Sequence, residues 1–132
     1  TGPDMEPTHM ALGLDLTKRS IQDRLKEKSL PWAEAKAFTD SAVLGDWVEY
    51  NPEAEYSLNV NGNEVQTGSL EQMSWTPNQL IAKLAHWAPI REGDILFTGT
   101  PSGVGQLNSG DVLTASLYID GEHIHSHSAK CV

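Results

Sequence analysis

The chain has 132 residues and a net charge of −9, and it is 39% hydrophobic and 20% charged. This composition is typical of a globular protein and excludes an intrinsically disordered one, and one domain is expected at this length. Because the negative charge repels a phosphate backbone, nucleic-acid binding is not expected.

Cellular context follows from the cysteine content and from the hydropathy. The single cysteine, Cys131, excludes a disulfide framework and favours a cytoplasmic protein. No apolar run approaches the roughly 18 residues of a membrane span, and no signal peptide is visible, so a membrane is not expected as a partner. The polar, proline-containing residues 1–9 predict a flexible arm, and residues 10–132 predict a single domain.

The first elements predicted along the chain are a strand and a helix. Residues 10–15, "MALGLD", predict a short buried strand that ends in an acid. Residues 16–29 predict a helix, since Thr17 is a suitable N-cap and Ile21 and Leu25 lie one turn apart on an apolar face.

An irregular connection and a hairpin are predicted next. The stretch 29–47 is mixed in composition and predicts a long connection without regular structure. Residues 55–68 alternate in polarity on both sides of Asn61-Gly62, which supplies the positive φ angles of a two-residue hairpin turn.

The clearest helix is predicted over 76–87, "TPNQLIAKLAHW". Thr76 is a suitable N-cap, Pro77 occupies the first helical position, and Gln79 completes a capping box.

The last part of the chain predicts three strands. Residues 94–99, "DILFTG", predict a buried strand, and residues 111–132 predict a second hairpin that turns at Asp120-Gly121. Two helices and mostly antiparallel strands make the predicted fold class α+β.

One group of polar residues is a candidate ligand-binding site. Asp15, Arg19 and Gln22 are spaced at i, i+4 and i+7, which places them along one helical face. Asp15 either caps this helix or offers a hard oxygen ligand to Mg²⁺ or Mn²⁺. An acid, a guanidinium and an amide on one face suit a metal ion together with the carboxylate of an oxo acid.

Lys36 and the glycine-rich loop 98–105 are two further candidates. Lys36 lies among small and apolar residues in "LPWAEAKAF", and it is either exposed or a buried cation beside developing negative charge. The loop "TGTPSGVG" can bring backbone N–H groups close to an anion, but it lacks the lysine of a phosphate-binding loop.

Three histidines, His123, His125 and His127, alternate along the last predicted strand. This alternation predicts that all three point to one face, where they either bind Zn²⁺ or face water at the edge of a sheet. No nucleophile elbow is present.

Three motifs occur in order along the chain: "LGLDLTKRSIQ", "LPWAEAKAF" followed by "LGDW", and "GDILFTGTPSGVG". Together they resemble the fumarylacetoacetate hydrolase family, which includes acylpyruvate hydrolases, oxaloacetate decarboxylases, and isomerases and decarboxylases of homoprotocatechuate breakdown. The resemblance covers nearly all of residues 10 to 121. It implies a mixed β-roll of the family's C-terminal type, usually a homodimer, that acts on a small 2-oxo acid.

The resemblance also implies a metal and a catalytic residue. Asp15 matches the family aspartate that ligates Mg²⁺ or Mn²⁺, and Lys36 matches the lysine that faces the metal-bound substrate. The implied chemistry is hydrolysis, decarboxylation or isomerisation of a 2-oxo acid through a metal-stabilised enolate.

Four further positions match substrate contacts in the family. Arg19 and Gln22 match residues that help to hold metal and substrate, and Gly99 and Thr100 match the loop that contacts the substrate carboxylate.

One part of the family pattern is missing. Family members carry a Glu-x-Glu pair of further metal ligands well upstream of the aspartate, whereas fourteen residues precede Asp15 here. The chain therefore resembles the C-terminal half to two-thirds of a family member. Two hypotheses remain: a metal-dependent enzyme of 2-oxo acids, or a non-catalytic relative that keeps the fold and oligomerises, with metal binding weak or absent unless further ligands are supplied.

Overall fold

The computed structural model describes residues 5–132, which divide into two compact units. One unit comprises 5–12 and Asp46–Val132, and the other is Gly13–Gly45. The predicted arm lies partly outside the described residues, and in its later part His9 pairs with Glu49 in a short ladder. The assignment of an arm and a single domain stays a prediction.

Within residues 5–132 there are eight strands, three α-helices and one 3₁₀ turn. The strands are β1 (His9–Met10), β2 (Gly13–Asp15), β3 (Ala42–Leu44), β4 (Val48–Glu49), β5 (Glu55–Val60), β6 (Asn63–Ser69), β7 (Val112–Ile119) and β8 (Glu122–Lys130). The helices are α1 (Arg19–Glu27), α2 (Ala33–Lys36) and α3 (Pro77–Ala85), and the 3₁₀ turn is Leu70–Gln72. The described strand pairs are antiparallel, so the predicted α+β class is confirmed, with α2 as an additional short helix.

The first unit contains a four-stranded sheet in the order β6-β5-β7-β8. Its two hairpins are those predicted from the sequence. The first turns at Asn61 and Gly62, with φ of 52° and 80°, and the second at Asp120 and Gly121, with φ of 53° and 77°. A turn in which both residues have a positive φ fits the right-handed twist of the flanking strands. Because Asn-Gly and Asp-Gly favour these φ angles, the sequence predicts both turns.

The core of this unit lies on one face of the sheet. Leu117 and Ala115 project from β7 onto that face and pack with Leu12 and Ala54, all four being buried. The period of two along β7 therefore directs its alternate apolar side chains inward.

Two β-bulges interrupt the alternation of the edge strands. Leu58 pairs with Gln66 but Asn59 pairs with Glu64, which leaves Val65 as the extra residue of β6. Leu117 pairs with His125 but Tyr118 pairs with His123, which leaves Ile124 as the extra residue of β8. Each extra residue moves the side chains on its two sides to opposite faces of the sheet.

The predicted buried strand 94–99 is wrong. This segment forms no strand, and Ile95 and Phe97 are 51% and 40% exposed. An apolar run becomes a strand only when a neighbouring backbone completes its hydrogen bonds, and in residues 5–132 no strand pairs with it.

Helix α3 begins as its sequence predicts. The Thr76 hydroxyl accepts a hydrogen bond from Gln79 N at 3.3 Å, and Gln79 Oε1 accepts from Thr76 N at 2.9 Å. Ile81 is buried on the inner face of the helix. Neither α3 nor any other helix of residues 5–132 is long and apolar enough to cross a membrane.

Replacing Thr76 with alanine is expected to lower the free energy of unfolding by about 1 kcal/mol, because it removes the hydroxyl that accepts a hydrogen bond from Gln79 N. The bond from the backbone N–H of residue 76 to Gln79 Oε1 is retained. Urea denaturation measures the loss. Thr76→Ser keeps the hydroxyl and is expected to unfold close to the wild type. Equal losses in the two variants would contradict a capping role.

The second unit differs from its predicted form in three ways. The strand predicted over 10–15 is split, since only its last residues form β2, which pairs with β3 inside the stretch predicted as irregular. Helix α1 begins at Arg19, so Thr17 is not its N-cap. The Thr17 hydroxyl instead accepts a hydrogen bond from Lys36, and that contact holds it away from the helix terminus.

Candidate active site

Lys36 is the centre of a polar cluster in the second unit. Its Nζ donates to Asp15 Oδ2 at 2.7 Å and to Thr17 Oγ1 at 2.7 Å. Asp15 ends β2 and Lys36 ends α2, so the strand and the short helix set the geometry of the pair. The Lys36 side chain is 32% exposed and that of Asp15 48%, which leaves both groups accessible to a ligand.

Asp15 does not occupy the helical position that its spacing predicted. It lies in β2, four residues before the first residue of α1, and no side chain caps that helix. The common helical face of Asp15, Arg19 and Gln22 is therefore wrong for Asp15, because the helix starts too late to include it. The capping alternative for Asp15 is wrong as well.

Arg19 and Gln22 do share one face of α1. Arg19 Nη1 donates to Gln22 Oε1 at 2.7 Å, and the two residues are three positions apart. Gln22 is only 3% exposed, so this bond satisfies a buried carbonyl oxygen. The remaining N–H groups of the Arg19 guanidinium stay available to an anion.

The donors present do not make a complete site for Mg²⁺ or Mn²⁺. These ions take about six oxygen ligands, commonly with more than one carboxylate. Asp15 supplies one carboxylate, and one of its oxygens accepts from the Lys36 ammonium. In the described part of the chain no three His, Cys, Asp or Glu side chains come together as a metal site would require.

Gly99 and Thr100 lie in the first unit, beside a cavity of about 320 Å³. Loop residues Thr98–Pro101 form one wall, and side chains that include Tyr56, Trp75 and Leu80 line the rest. Gly99 has a φ of 99°, a backbone conformation that residues other than glycine rarely adopt. The loop thus presents backbone and a hydroxyl to the cavity.

Gln66, which no sequence pattern singles out, contacts the loop beside this cavity. Its Nε2 lies 2.9 Å from Thr100 Oγ1, 3.1 Å from Pro101 O and 3.4 Å from Ser102 O, and it donates to this loop. The contact spans 34 residues of sequence, and it depends on the bulge at Val65. Neither feature has a local sequence signature.

Tyr56 adds a hydroxyl to the cavity. Burial raises the pKa of its phenol, because a charged phenolate is poorly solvated there. Tyr56 is therefore protonated at neutral pH and can donate a hydrogen bond.

The three histidines of β8 do not share one face. The bulge at Ile124 places His123 on the face opposite to His125 and His127. His123 Nε2 lies 2.7 Å from Ser126 Oγ, whereas His125 Nε2 lies 3.6 Å from Asp46 Oδ2. The common face predicted for them is wrong, and the structure does not assemble them into a zinc site among its described residues.

Comparisons with known proteins agree on one family. Residues 9–127 match the sequence profile described as "Fumarylacetoacetate (FAA) hydrolase C-terminal". The chain is 39% identical over 115 residues to the oxaloacetate tautomerase YcgM of Escherichia coli, an alignment that covers 80% of this chain and 51% of that protein. It is 31% identical over 105 residues to a fumarylpyruvate hydrolase of Ralstonia sp, covering 76% and 55%. The chain thus spans about half the length of the curated relatives it matches.

Solved structures share the fold. A fumarylpyruvate hydrolase from Pseudomonas aeruginosa, crystallised in complex with Mn²⁺ and pyruvate, superposes with a TM-score of 0.84 at 33% identity and covers 92% of this chain and 53% of that one. Yeast ynq8, a fumarylacetoacetate hydrolase family protein, superposes with a TM-score of 0.88 at 29% identity and covers 94% and 55%. The β-roll expected from the resemblance is confirmed, and the chain belongs to the fumarylacetoacetate hydrolase family.

Proposed function

We propose that this chain carries part of the active site of an enzyme that hydrolyses, decarboxylates or isomerises a 2-oxo acid. The observation that supports this most directly is the ammonium of Lys36, held 2.7 Å from Asp15 in a member of this family. Similar proteins are named for oxaloacetate and for fumarylpyruvate, which are both 2-oxo acids.

Lys36 is the proposed catalytic residue. When a bond next to the ketone of a 2-oxo acid breaks or a proton leaves, negative charge builds on the ketone oxygen. A fixed ammonium stabilises that charge more than the ground state, and this difference lowers the barrier. Asp15 and Thr17 orient Nζ, so little reorganisation is needed during the reaction.

Arg19, Gln22, Gly99 and Thr100 are the proposed substrate-binding residues. The guanidinium of Arg19 keeps free donors after it binds Gln22 and suits a carboxylate. The loop at Gly99 and Thr100 offers a hydroxyl and backbone beside a cavity large enough for a small 2-oxo acid.

Metal dependence, assembly and location are part of the proposal. A divalent ion, Mg²⁺ or Mn²⁺, is proposed because a similar structure holds Mn²⁺, with Asp15 as one ligand and the others supplied from outside the described residues. Bound there, it would act as a Lewis acid. A homodimer in the cytoplasm completes the proposal.

An oxaloacetate tautomerisation assay tests it. The chain with Mn²⁺ is expected to convert oxaloacetate faster than Mn²⁺ alone does, at a rate proportional to the chain concentration. Asp15→Asn is expected to lower the Mn²⁺-dependent part of that rate. Asp46→Asn, which removes the same charge from a side chain that is 87% exposed, serves as control. A rate equal to that of Mn²⁺ alone would contradict the proposal.

A second function is a non-catalytic family member that keeps the fold and oligomerises. It is supported by the incomplete set of metal ligands around Asp15 in residues 5–132. Absence of turnover together with a dimer in light scattering would favour it. A monodisperse monomer would contradict it.

A further inference from the structure

We infer that Gln66 is a positioning residue that directs the Thr100 hydroxyl hydrogen toward a bound carboxylate. This inference rests on the proposed function, because it takes the ligand to be a 2-oxo acid. Gln66 itself is separated from the ligand by the loop that it holds, and it acts through that loop.

The hydrogen-bond pattern fixes the sense of each bond. Pro101 O and Ser102 O are carbonyl oxygens and only accept, so the group of Gln66 that faces them is its NH₂. The same nitrogen lies 2.9 Å from Thr100 Oγ1, which therefore accepts a hydrogen bond. The hydroxyl hydrogen of Thr100 is left unused by Gln66 and points away from it.

The unused hydrogen belongs to a residue that lines the cavity. Thr100 contributes to the wall of the 320 Å³ space, together with Gly99 and Pro101. No charged side chain lines that space among the described residues, so the donors of its own walls are hydroxyl and amide groups. A correctly turned Thr100 hydroxyl is one such donor, and hydrogen bonds to a charged group are the stronger kind.

The bulge at Val65 brings Gln66 to the loop. Without it, Gln66 and Glu64 would share one face, since they are two residues apart on a strand. The bulge pairs Gln66 with Leu58 on the core face and Glu64 with Asn59 on the other. Gly103 packs against the bulge itself, where a Cβ would overlap Val65 O. Bulges commonly re-aim side chains beside functional sites.

Pyruvate binding to ¹⁵N-labelled chain tests the inference by NMR. Pyruvate is expected to shift the amide resonances of Gly99 and Thr100 and the side-chain NH₂ of Gln66. Gln66→Met, which removes the donor without adding charge, is expected to weaken pyruvate binding about tenfold, in line with loss of a charge-assisted hydrogen bond. Gln106→Met is the matched control, because Gln106 is exposed and its side chain donates a hydrogen bond to Asn108, two residues away in the chain.

Two further variants separate direction from folding. Gln66→Glu presents acceptors to Thr100 and is expected to turn its hydrogen away from the cavity, so that it binds pyruvate still more weakly. Thr100→Val removes the hydroxyl and is expected to match or exceed the loss in Gln66→Met. If a variant does not fold, the pyruvate-induced shift of the Gln66 NH₂ resonances in the wild-type chain still tests the inference.

The outcomes distinguish this inference from the proposed function. Pyruvate binding by Gln66→Met equal to the wild type, or no response of Gly99, Thr100 and Gln66 in the wild type, would overturn the inference. Pyruvate binding that depends on Gln66 in a chain without turnover would support the inference and contradict only the proposed function.

Discussion

Replacing Lys36 with methionine is expected to lower kcat/KM for oxaloacetate about a hundredfold, which corresponds to roughly 3 kcal/mol of lost transition-state stabilisation. The reason is that Lys36 Nζ is the cation held beside Asp15 and Thr17, at 2.7 Å from each. Steady-state kinetics at several substrate concentrations measure the effect. Because the ammonium favours the charge that develops during the reaction, kcat is expected to fall more than KM rises.

The same substitution is expected to leave the fold intact. The Lys36–Asp15 pair is partly exposed, at 32% and 48%, and ion pairs of this kind contribute less than about 1 kcal/mol. Urea denaturation of Lys36→Met should therefore stay within about 1 kcal/mol of the wild type. A larger loss would mean that reduced activity reflects unfolding.

Lys28→Met is the matched control for charge. Lys28 also belongs to the unit Gly13–Gly45, but it follows the end of α1, and its capping contacts come from the backbone. Both variants lose one positive charge from the same unit. Equal kcat/KM values in the two would contradict a specific role for Lys36, and a fall in both would indicate a general effect of net charge.

The features predicted correctly from sequence are those with local causes. Asn61-Gly62 and Asp120-Gly121 have the positive φ angles that their residue types favour, and Thr76 with Gln79 forms a capping box within four residues. Each interaction joins residues so close in sequence that the rest of the fold has little influence on it.

The features missed depend on distant partners. The segment 94–99 has a strand composition, yet no described strand pairs with it. The bulges at Val65 and Ile124 depend on register with β5 and β7, which alternation in one strand does not reveal. For this reason, alternation alone predicts the wrong face for His123.

The candidate site shows the same limit. Asp15 and Lys36 are 21 residues apart, and only the resemblance to a family brought them together before the structure did. The i, i+4, i+7 spacing does not describe Asp15, because α1 begins only at Arg19 and Asp15 pairs with Ala42 in β2. Gln66 belongs to no motif, and no spacing rule covers its contact with Thr100, because the two residues are 34 positions apart in the chain.

Replacing Gly103 with alanine is expected to lower the free energy of unfolding by at least about 2 kcal/mol, or to release the loop 98–105 from β6. Two causes act together there. The φ of 100° at Gly103 is strained for any side chain, and a Cβ would overlap Val65 O, a backbone atom of the bulge in β6.

Two other glycines of the same loop separate these causes. Gly99 has a φ of 99° with open space around a Cβ, so Gly99→Ala isolates the backbone strain and is expected to cost about 1 to 2 kcal/mol. Gly105 has neither a positive φ nor a close neighbour, so Gly105→Ala is expected to be neutral or to stabilise by up to about 1 kcal/mol. Urea denaturation gives the three free energies.

The order of the three losses decides whether the loop is docked on the bulge. If the loss in free energy of unfolding is largest for Gly103→Ala, smaller for Gly99→Ala and smallest for Gly105→Ala, the contact with Val65 adds to the backbone strain. Because an undocked loop also loses the hydrogen bonds from Gln66 to Thr100 and Pro101, Gly103→Ala should abolish the pyruvate-induced shift of the Gln66 NH₂ resonances. Gly103→Ala and Gly99→Ala with equal losses and intact shifts would show that the loop clears Val65 by more than the structure indicates.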